Sequence, residues 1–522
     1  MRRAAAIAAL ALFTAACGGG TPAAGPASDG TFTYALTADP GGLDPAMGLM
    51  SVTNQVLSLA YDTLVGADDS GRIIPGLAEK WDVRPEAVTF TLRKDVTCSD
   101  GSKLTPSDVA ENVNHIADPA TKSPIYGVIV PAGMKAEADD AAGTVTLKTP
   151  EPFGFILESS RILFVACGKG LKDRSMLTRG TSGSGPYVLS EAVPGDHYTF
   201  KVRRDYAWGA GGATAKDLPA QVVLKVVPNE QTAANLLLAG TLNGAQFNGP
   251  DRARVEAAPG VAKEHPMSGN EQFFFHQGDD RPGKDLAVRK ALTQALNLKE
   301  LGGIVTGGAV SKPATGLVLE PRPCRGDSVT GHVPAFDAAA AASALDAAGW
   351  KAGTDGVRVK DGKRLTLRLL YSTTRGPGVQ AGVEYMAATW QKIGVEVKLN
   401  GVLDTKLAES LNATQDWDAI WLPIGVTLPS QLIGFLSGPA APKGANFAHL
   451  ANERYDKLVA QAMGTPGEAG CALWQQAESA LFDNVDLVPV VERTTLVAAK
   501  GATFKTTAGL FDPATIRLTG GH

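Results

Sequence analysis

Residues 221–248 read QVVLKVVP, then NEQTAANLLLAG, then LNGAQFN. Strand, helix and strand in such close succession make a βαβ unit, whose strands run parallel because the crossover helix returns the chain to the same end of the sheet. The pattern recurs at 364–402, as RLTLRLLY, a helix across VQAGVEYMAATWQKI ended by Gly394, and VEVKLNGV. Two such units far apart in the chain predict two α/β lobes. A cleft between lobes of this kind is a natural ligand site, since small-molecule sites favour domain interfaces and the carboxyl ends of sheet strands. Hinge closure around a ligand is a known transition of such pairs.

Outside the two units, AVTFTLRKDV from Ala87 alternates Val88, Phe90 and Leu92 with Thr89, Thr91 and Arg93, the period of a strand with one buried face. Asp100-Gly101 supplies a turn. In LTPSDVAENVNHI, Thr105 caps a helix, Pro106 suits its first position and Asp108 completes a capping box. KAEA and TVTLK, joined by DDAAG, read as a hairpin. Further on, AFDAAAAASALDAAGW is a helix ended by Gly349. A helix near 404–411 leads to WDAIWLPI, read as a core strand.

The chain has 522 residues, enough for two or three domains with proper cores, and a net charge of −4. That balance offers no basic field for nucleic acid. Its first residues carry a different message. Arg2 and Arg3 precede AAAIAALALFTAA, the layout of an export signal over 1–16, and the run is too short to cross a bilayer. Cys17 follows, then GGGTPAAGPASDG, which has nothing to bury and would act as a leash about 20 Å in root-mean-square length. Beyond it stand Cys98, Cys167, Cys324 and Cys471; export favours disulfides, and four cysteines permit three pairings.

Little in the chain suggests catalysis or a metal. GDDRPGKD at 278–285 fits GxxxxGK, but Asp285 stands where Ser or Thr must hold magnesium, and Asp279 and Asp280 would repel phosphate. The histidines are scattered, with no HExxH and no i,i+4 pair, and there is no GxSxG elbow. No cofactor, no metal site and no enzymatic activity are expected.

The segment TAAC at 14–17 resembles a bacterial lipobox, with Thr14 where leucine is usual, and implies cleavage before a lipidated Cys17. The body resembles the family 5 extracytoplasmic solute-binding proteins, the receptors of peptide, nickel and related ABC importers. Between 42 and 116 the resemblance rests on GLDPA, NQVLSLAYDTLVGADDSGRIIPGLAEKWDV and VTFTLRKDVTCSDGSKLTPSDVAENV, in that order. Later landmarks are GSGPYVLSEAVPGDHYTFKVRRDYAW, LLLAGTLNGA, LAVRKALTQALN and NFAHLANERYDKLVAQA. It implies an α/β, two-lobed periplasmic-binding-protein fold of the class II type with an additional domain and a ligand cleft between the lobes. Residues 1–16 are then the signal peptide and 17–30 the lipidated cysteine with its tether. Lobe I comes from 31–62, 182–265 and 489–522, the inserted domain is 63–181, and lobe II is 266–488. That division puts Cys98 with Cys167 in the inserted domain and Cys324 with Cys471 in lobe II, which implies those pairings. Gly185, Pro186 and Tyr187 match the family's turn and serve the fold.

In peptide-binding relatives the ligand lies extended between the lobes and pairs its backbone like an added strand. By alignment, the ligand-facing residues implied here are Leu49, Met50 and Ser51 in lobe I. In lobe II they are Trp417, Trp421, Leu422, Pro423, Ile424, Gly425 and Asn446. The tryptophans could stack on a sugar or an aromatic group, whereas Trp390 reads as core. One departure matters. Peptide-binding members often carry an aspartate a few residues beyond the equivalent of Trp421 that pairs with the peptide's ammonium group. Here Ile424 or a neighbour stands there, with no acid between Asp418 and Glu453. An ammonium buried without a partner costs several kcal/mol. The ligand is therefore a peptide anchored by another acid, a blocked peptide, or a non-peptide such as an oligosaccharide or an apolar metabolite.

The expected protein is a monomeric receptor on the outer face of the cell membrane, held there only by its lipid. It hands a small solute, peptide first, to ABC permease subunits. The alternatives are a receptor for a non-peptide ligand and a lipoprotein sensor or chaperone that works without a transporter.

Overall fold

The computed structural model describes residues 30–68, 71–216, 218–507 and 509–519. The export signal, Cys17 and the tether lie outside the described residues.

Lobe I is built on a seven-stranded sheet. From one edge its strands are Ala262–Glu264, Leu496–Ala499, Gly244–Phe247, Thr31–Leu36, Gln221–Val226, His197–Val202 and Tyr187–Val193. The first βαβ unit is formed by Gln221–Val226, the helix Glu230–Leu238 and Gly244–Phe247. Asn229 starts that helix by accepting the N–H of Thr232 at 2.8 Å, which satisfies one of the donors a helix end leaves open. Ala233, Ala234 and Leu237 pack on Ala35, Ala245 and Phe247. The unit's two strands are parallel but not neighbours, because Thr31–Leu36 lies between them and runs parallel to both.

Lobe II is built on a six-stranded sheet, in the order Ser311–Pro313, Leu487–Thr494, Met267–Phe275, Ala419–Trp421, Thr366–Ser372 and Glu396–Val402. Its βαβ strands, Thr366–Ser372 and Glu396–Val402, are direct parallel neighbours. The helix Pro377–Lys392 lays Val379, Val383, Met386 and Trp390 on the sheet. Trp390 is fully buried, and its indole N–H donates to the carbonyl of Leu292 at 2.8 Å. The strand read in WDAIWLPI is only Ala419–Trp421. At 278–285 the chain makes a single turn, Lys284 pairs with Asp279, and Asp285 caps the helix Leu286–Gln294. The acid that spoils a phosphate loop is here a helix cap.

The inserted segment forms a four-stranded antiparallel sheet in the order Ala78–Arg84, Ala87–Leu92, Thr144–Lys148 and Lys135–Asp139. Val88, Phe90 and Leu92 are buried in one core with Val109, Val113 and Ile116 of the helix Pro106–Ala117. That helix opens on the expected capping box: Thr105 accepts the N–H of Asp108, whose carboxylate accepts the N–H of Thr105 at 2.8 Å. Disulfides join Cys98 to Cys167 and Cys324 to Cys471, with Cα separations of 6.0 and 5.0 Å.

The chain passes from lobe I to lobe II between Ala262–Glu264 and Met267–Phe275, and returns after Leu487–Thr494. Met267 is paired with Thr494, so the returning strand stays in the six-stranded sheet to its end. The return therefore falls at Thr495 and not between 488 and 489.

Candidate functional site

A cavity of about 250 Å³ lies where the two lobes and the inserted domain meet. Lobe I brings Ser58, Tyr61 and Asp62 from the end of the helix Ser51–Ala60, and Leu510, Phe511 and Asp512 from the C-terminal segment. The inserted domain brings Glu158, Arg161, Ile162 and Phe164; lobe II brings Leu319, Glu320, Thr427 and Leu428. The Gly-Pro-Tyr turn fits tightly beneath. Gly185 donates its N–H to the carbonyl of Ala60 at 3.0 Å, and a Cβ at that position would lie 2.5 Å from the Ala60 carbonyl carbon. Only glycine lets the turn pass, and Pro186 then forms part of the wall.

The charged groups of the wall differ in how far the protein satisfies them. Asp62 accepts from the Tyr206 hydroxyl at 2.9 Å, the Ser184 hydroxyl at 2.9 Å and the Trp208 indole at 3.1 Å. Burial nonetheless raises its pKa, because removing a carboxylate from water outweighs what the donors return. Asp512 accepts the N–H of Ala514 at 2.9 Å, and burial raises its pKa too. Glu320 is taken by Arg322 at 2.8 Å. Glu158 is buried, its Oε2 meets no donor among the described residues, and burial pushes its pKa up to about 7. Arg161 is the one basic residue of the wall among the described residues. Burial lowers its pKa, and no acid among the described residues lies within ion-pair distance of it. Ile162, Phe164, Leu319, Leu428, Leu510 and Phe511 make the rest of the wall apolar.

The inserted domain is latched onto lobe II beside this cavity. Phe155 is 1% exposed and belongs to a lobe II core, its ring centroid 5.3 Å from that of Trp474. Next to it, Gly467 donates its N–H to the carbonyl of Gly154 at 3.3 Å, and Gln431 reaches the carbonyl of Val128 at 3.3 Å.

None of the expected ligand-facing residues lines this cavity. Leu49 and Met50 are 47% and 66% exposed, Met50 has an extended backbone, and Ser51 opens the helix Ser51–Ala60. The cavity takes Ser58 from the far end of that helix. Trp417 and Trp421 are buried side chains of lobe II. Trp421 stacks on Phe273 and donates to Glu271 at 2.7 Å, and Trp417 lies between His276 and Phe447. Leu422 donates its N–H to Gln272 at 3.0 Å, Ile424 bridges to Asn270, and Leu319 donates to Val426 at 2.8 Å. The backbone edge at 422–426 is thus spent inside lobe II. Pro423 is half-buried within the same stretch and Gly425 is exposed beside Leu319. Asn446 is buried, with its amide on Gly438 and Leu450.

Glu158 and Arg161 were missed, although PFGFILESSRILFVA at 152–166 holds no other charge. Two charges inside so apolar a run were the available signal. No acid stands near Ile424 in the sequence, and the acids of the cavity wall, Asp62, Glu158, Glu320 and Asp512, come from elsewhere in the chain.

Two α/β lobes joined by two crossings, with a small cavity at their junction, define a solute-binding receptor. The chain belongs to the bacterial extracellular solute-binding proteins, family 5: the family model "Bacterial extracellular solute-binding proteins, family 5 Middle" matches residues 72–439. It is 26% identical over 491 residues to the periplasmic murein peptide-binding protein MppA of Escherichia coli K12, across 87% of this chain and 86% of that one. A substrate-binding protein from Microbacterium hydrocarbonoxydans, solved with 4-hydroxybenzoate hydrazide, is 26% identical with a TM-score of 0.67, across 94% of this chain and 100% of the other. The ABC transporter substrate-binding protein CtaP of Listeria monocytogenes shares the fold at a TM-score of 0.79 and 21% identity, across 94% and 100% of the two chains. Among the described residues, no helix is long and apolar enough to cross a membrane.

Proposed function

We propose that this chain is the solute-capturing receptor of an ABC importer, anchored outside the cytoplasmic membrane through a lipid on Cys17, and that it takes a peptide or peptide-like solute. The cavity between the lobes carries this reading, since it gives a solute a partly sheltered, mostly apolar site at the junction of the domains. Its volume of about 250 Å³ sits below the roughly 300–1,000 Å³ of drug-sized sites, which favours a small solute over a long extended peptide. Acids in the wall favour the peptide anchored by an acid other than the usual one. The murein peptide-binding relative supports the same class of ligand.

A thermal-shift screen of the purified protein against dipeptides, tripeptides, sugars and metal chelates tests it. A solute at a hundred times its dissociation constant stabilises by about 2.7 kcal/mol, enough to move the melting temperature by a few degrees in a chain of this size. Stabilisation by sugars or chelates alone would dismiss the peptide reading. Mass spectrometry of the membrane fraction tests the anchor, which an unmodified Cys17 in the mature protein would refute.

A further inference from the structure

We infer that the disulfide Cys324–Cys471 is a redox-modification site: a dithiol entering from the surface attacks the sulfur of Cys471, and opening the bond loosens the loop 314–328 that walls the cavity between the lobes. The inference goes beyond the receptor reading and does not depend on which solute is bound.

Thiol–disulfide exchange needs access for the attacking thiolate. Cys98 and Cys167 are both fully buried, so their bond is closed to attack in the folded chain. Cys324 is buried too, but Cys471 is half-buried and lines a surface groove of about 330 Å³ with Gly71, Arg72, Pro323, Arg325 and Glu468. Two arginines against one acid in that wall favour the approach of an anionic thiolate.

The incoming thiolate bonds to the Cys471 sulfur, the bond between the two cysteines breaks, and its electron pair leaves with Cys324. The second thiol of the reductant then displaces Cys471 from the mixed disulfide. The reductant departs as a disulfide, and its two protons and two electrons stay with the cysteines. Cys471 is the first residue of the helix Cys471–Asp483, where the N-terminal N–H groups favour its thiolate and so make it a good leaving group for that second step.

Between Ser311–Pro313 and Ala338–Ala347 the described chain has no helix or strand, and Cys324 ties this stretch to the helix that carries Cys471. Just before the tie, Leu319, Glu320 and Pro321 form part of the cavity wall. A Cβ added at Gly71 of the inserted domain would lie 3.3 Å from the Pro321 Cβ, so the same loop abuts that domain. Arg322 reaches Glu492 at 3.1 Å, Ser328 donates to Glu478 at 2.6 Å, and the carbonyl of Ser328 accepts from Ser479 at 3.0 Å. These contacts hold the frame of the loop without the disulfide, so opening the bond loosens the wall and leaves the lobe II core folded.

The test exposes the native protein briefly to reduced glutathione, alkylates free thiols with N-ethylmaleimide and maps the peptides. Glutathione should be found on Cys471 and the alkyl group on Cys324, with Cys98–Cys167 intact. Dithiothreitol should then open Cys324–Cys471 alone, with the melting transition still cooperative and amide hydrogen exchange over 314–328 at least tenfold faster, while the strand Thr366–Ser372 exchanges as before. The double variant Cys324→Ser, Cys471→Ser should exchange like the reduced protein with no reductant present; should it fail to fold, the exchange of the reduced wild type decides. Glutathione on Cys324, opening of Cys98–Cys167 at the same dose, opening only with loss of the melting transition, or unchanged exchange over 314–328 each overturns the inference and leaves the receptor reading standing.

Discussion

The backbone N–H of Thr495 donates to the carbonyl of Pro266 at 3.0 Å, so the two lengths of chain that join the lobes are tied to each other at their crossing. Arg252, from the lobe I helix Asp251–Glu256, braces it from the side, donating to the carbonyl of Thr494 at 2.5 Å and to its hydroxyl at 3.0 Å.

Arg252→Ala leaves the buried carbonyl of Thr494 without its charged donor, a loss of about 1–3 kcal/mol. The urea midpoint should fall by the corresponding amount with the slope unchanged, because the exposed surface on unfolding is the same. An unaltered midpoint would show that the crossing does not depend on this arginine.

Phe155→Ala empties a filled site in a lobe II core using a side chain that belongs to the inserted domain. A buried phenylalanine lost to alanine costs about 3–5 kcal/mol. That cost falls on the latched arrangement and spares one in which the inserted domain has swung away. The variant should therefore show a larger radius of gyration in solution scattering and weaker solute binding. Scattering that superimposes on the wild type would remove Phe155 from the latch.

Glu158 makes stability depend on pH. Its carboxyl is raised from 4.5 to about 7 by burial, so between those values the folded chain holds a proton that the unfolded chain has lost. The stabilisation this gives is full below pH 4.5 and is lost as pH rises through 7. In Glu158→Gln that dependence disappears: the variant and wild type should melt alike in acid, with the variant gaining steadily toward neutral pH. Asp62 and Asp512 are also raised, so the difference between the two profiles is the quantity to read. Parallel profiles would refute the assignment.

The two disulfides span separations of 69 and 147 residues. Replacing either pair by serine should cost about 2–5 kcal/mol, and on chain entropy Cys324–Cys471 should cost more than Cys98–Cys167 by about 0.7 kcal/mol. Melting curves of the two double variants under oxidising conditions check this. A pair whose loss leaves the melting temperature unmoved is not a structural bond.

The elements were legible wherever a local pattern decided them. Val88, Phe90 and Leu92 alternate because one face of their sheet is buried, and Thr105, Pro106 and Asp108 spell a helix start whatever surrounds them. Both βαβ units follow from short-range periodicity. What escaped was set by contacts distant in sequence. Nothing local to Gln221–Val226 says that Thr31–Leu36 lies beside it. Trp417 and Trp421 looked like ligand platforms, but both faces of the lobe II sheet are covered, so an aromatic residue there goes into a core on either side. The cavity wall is assembled from several separate stretches of chain; Ser58, Tyr61, Asp62, Pro186 and Tyr206 lay in motifs the sequence had marked, whereas Glu158, Arg161, Leu319 and Phe511 did not.

The order of strands in the lobe I sheet has a consequence for how the protein is made. Leu496–Ala499 lies between Gly244–Phe247 and Ala262–Glu264, pairing with both, so the first lobe to begin emerging during synthesis is the last that can be finished. Lobe II is one uninterrupted length between the crossings and can fold while lobe I still lacks an inner strand. Until the C-terminal residues arrive, Gly244–Phe247 and Ala262–Glu264 present unpaired edges, the kind of surface on which nascent chains pair wrongly. The most exposed moment in the life of this receptor thus comes at the end of its synthesis, and a truncation there would remove an inner strand of lobe I together with part of the cavity wall.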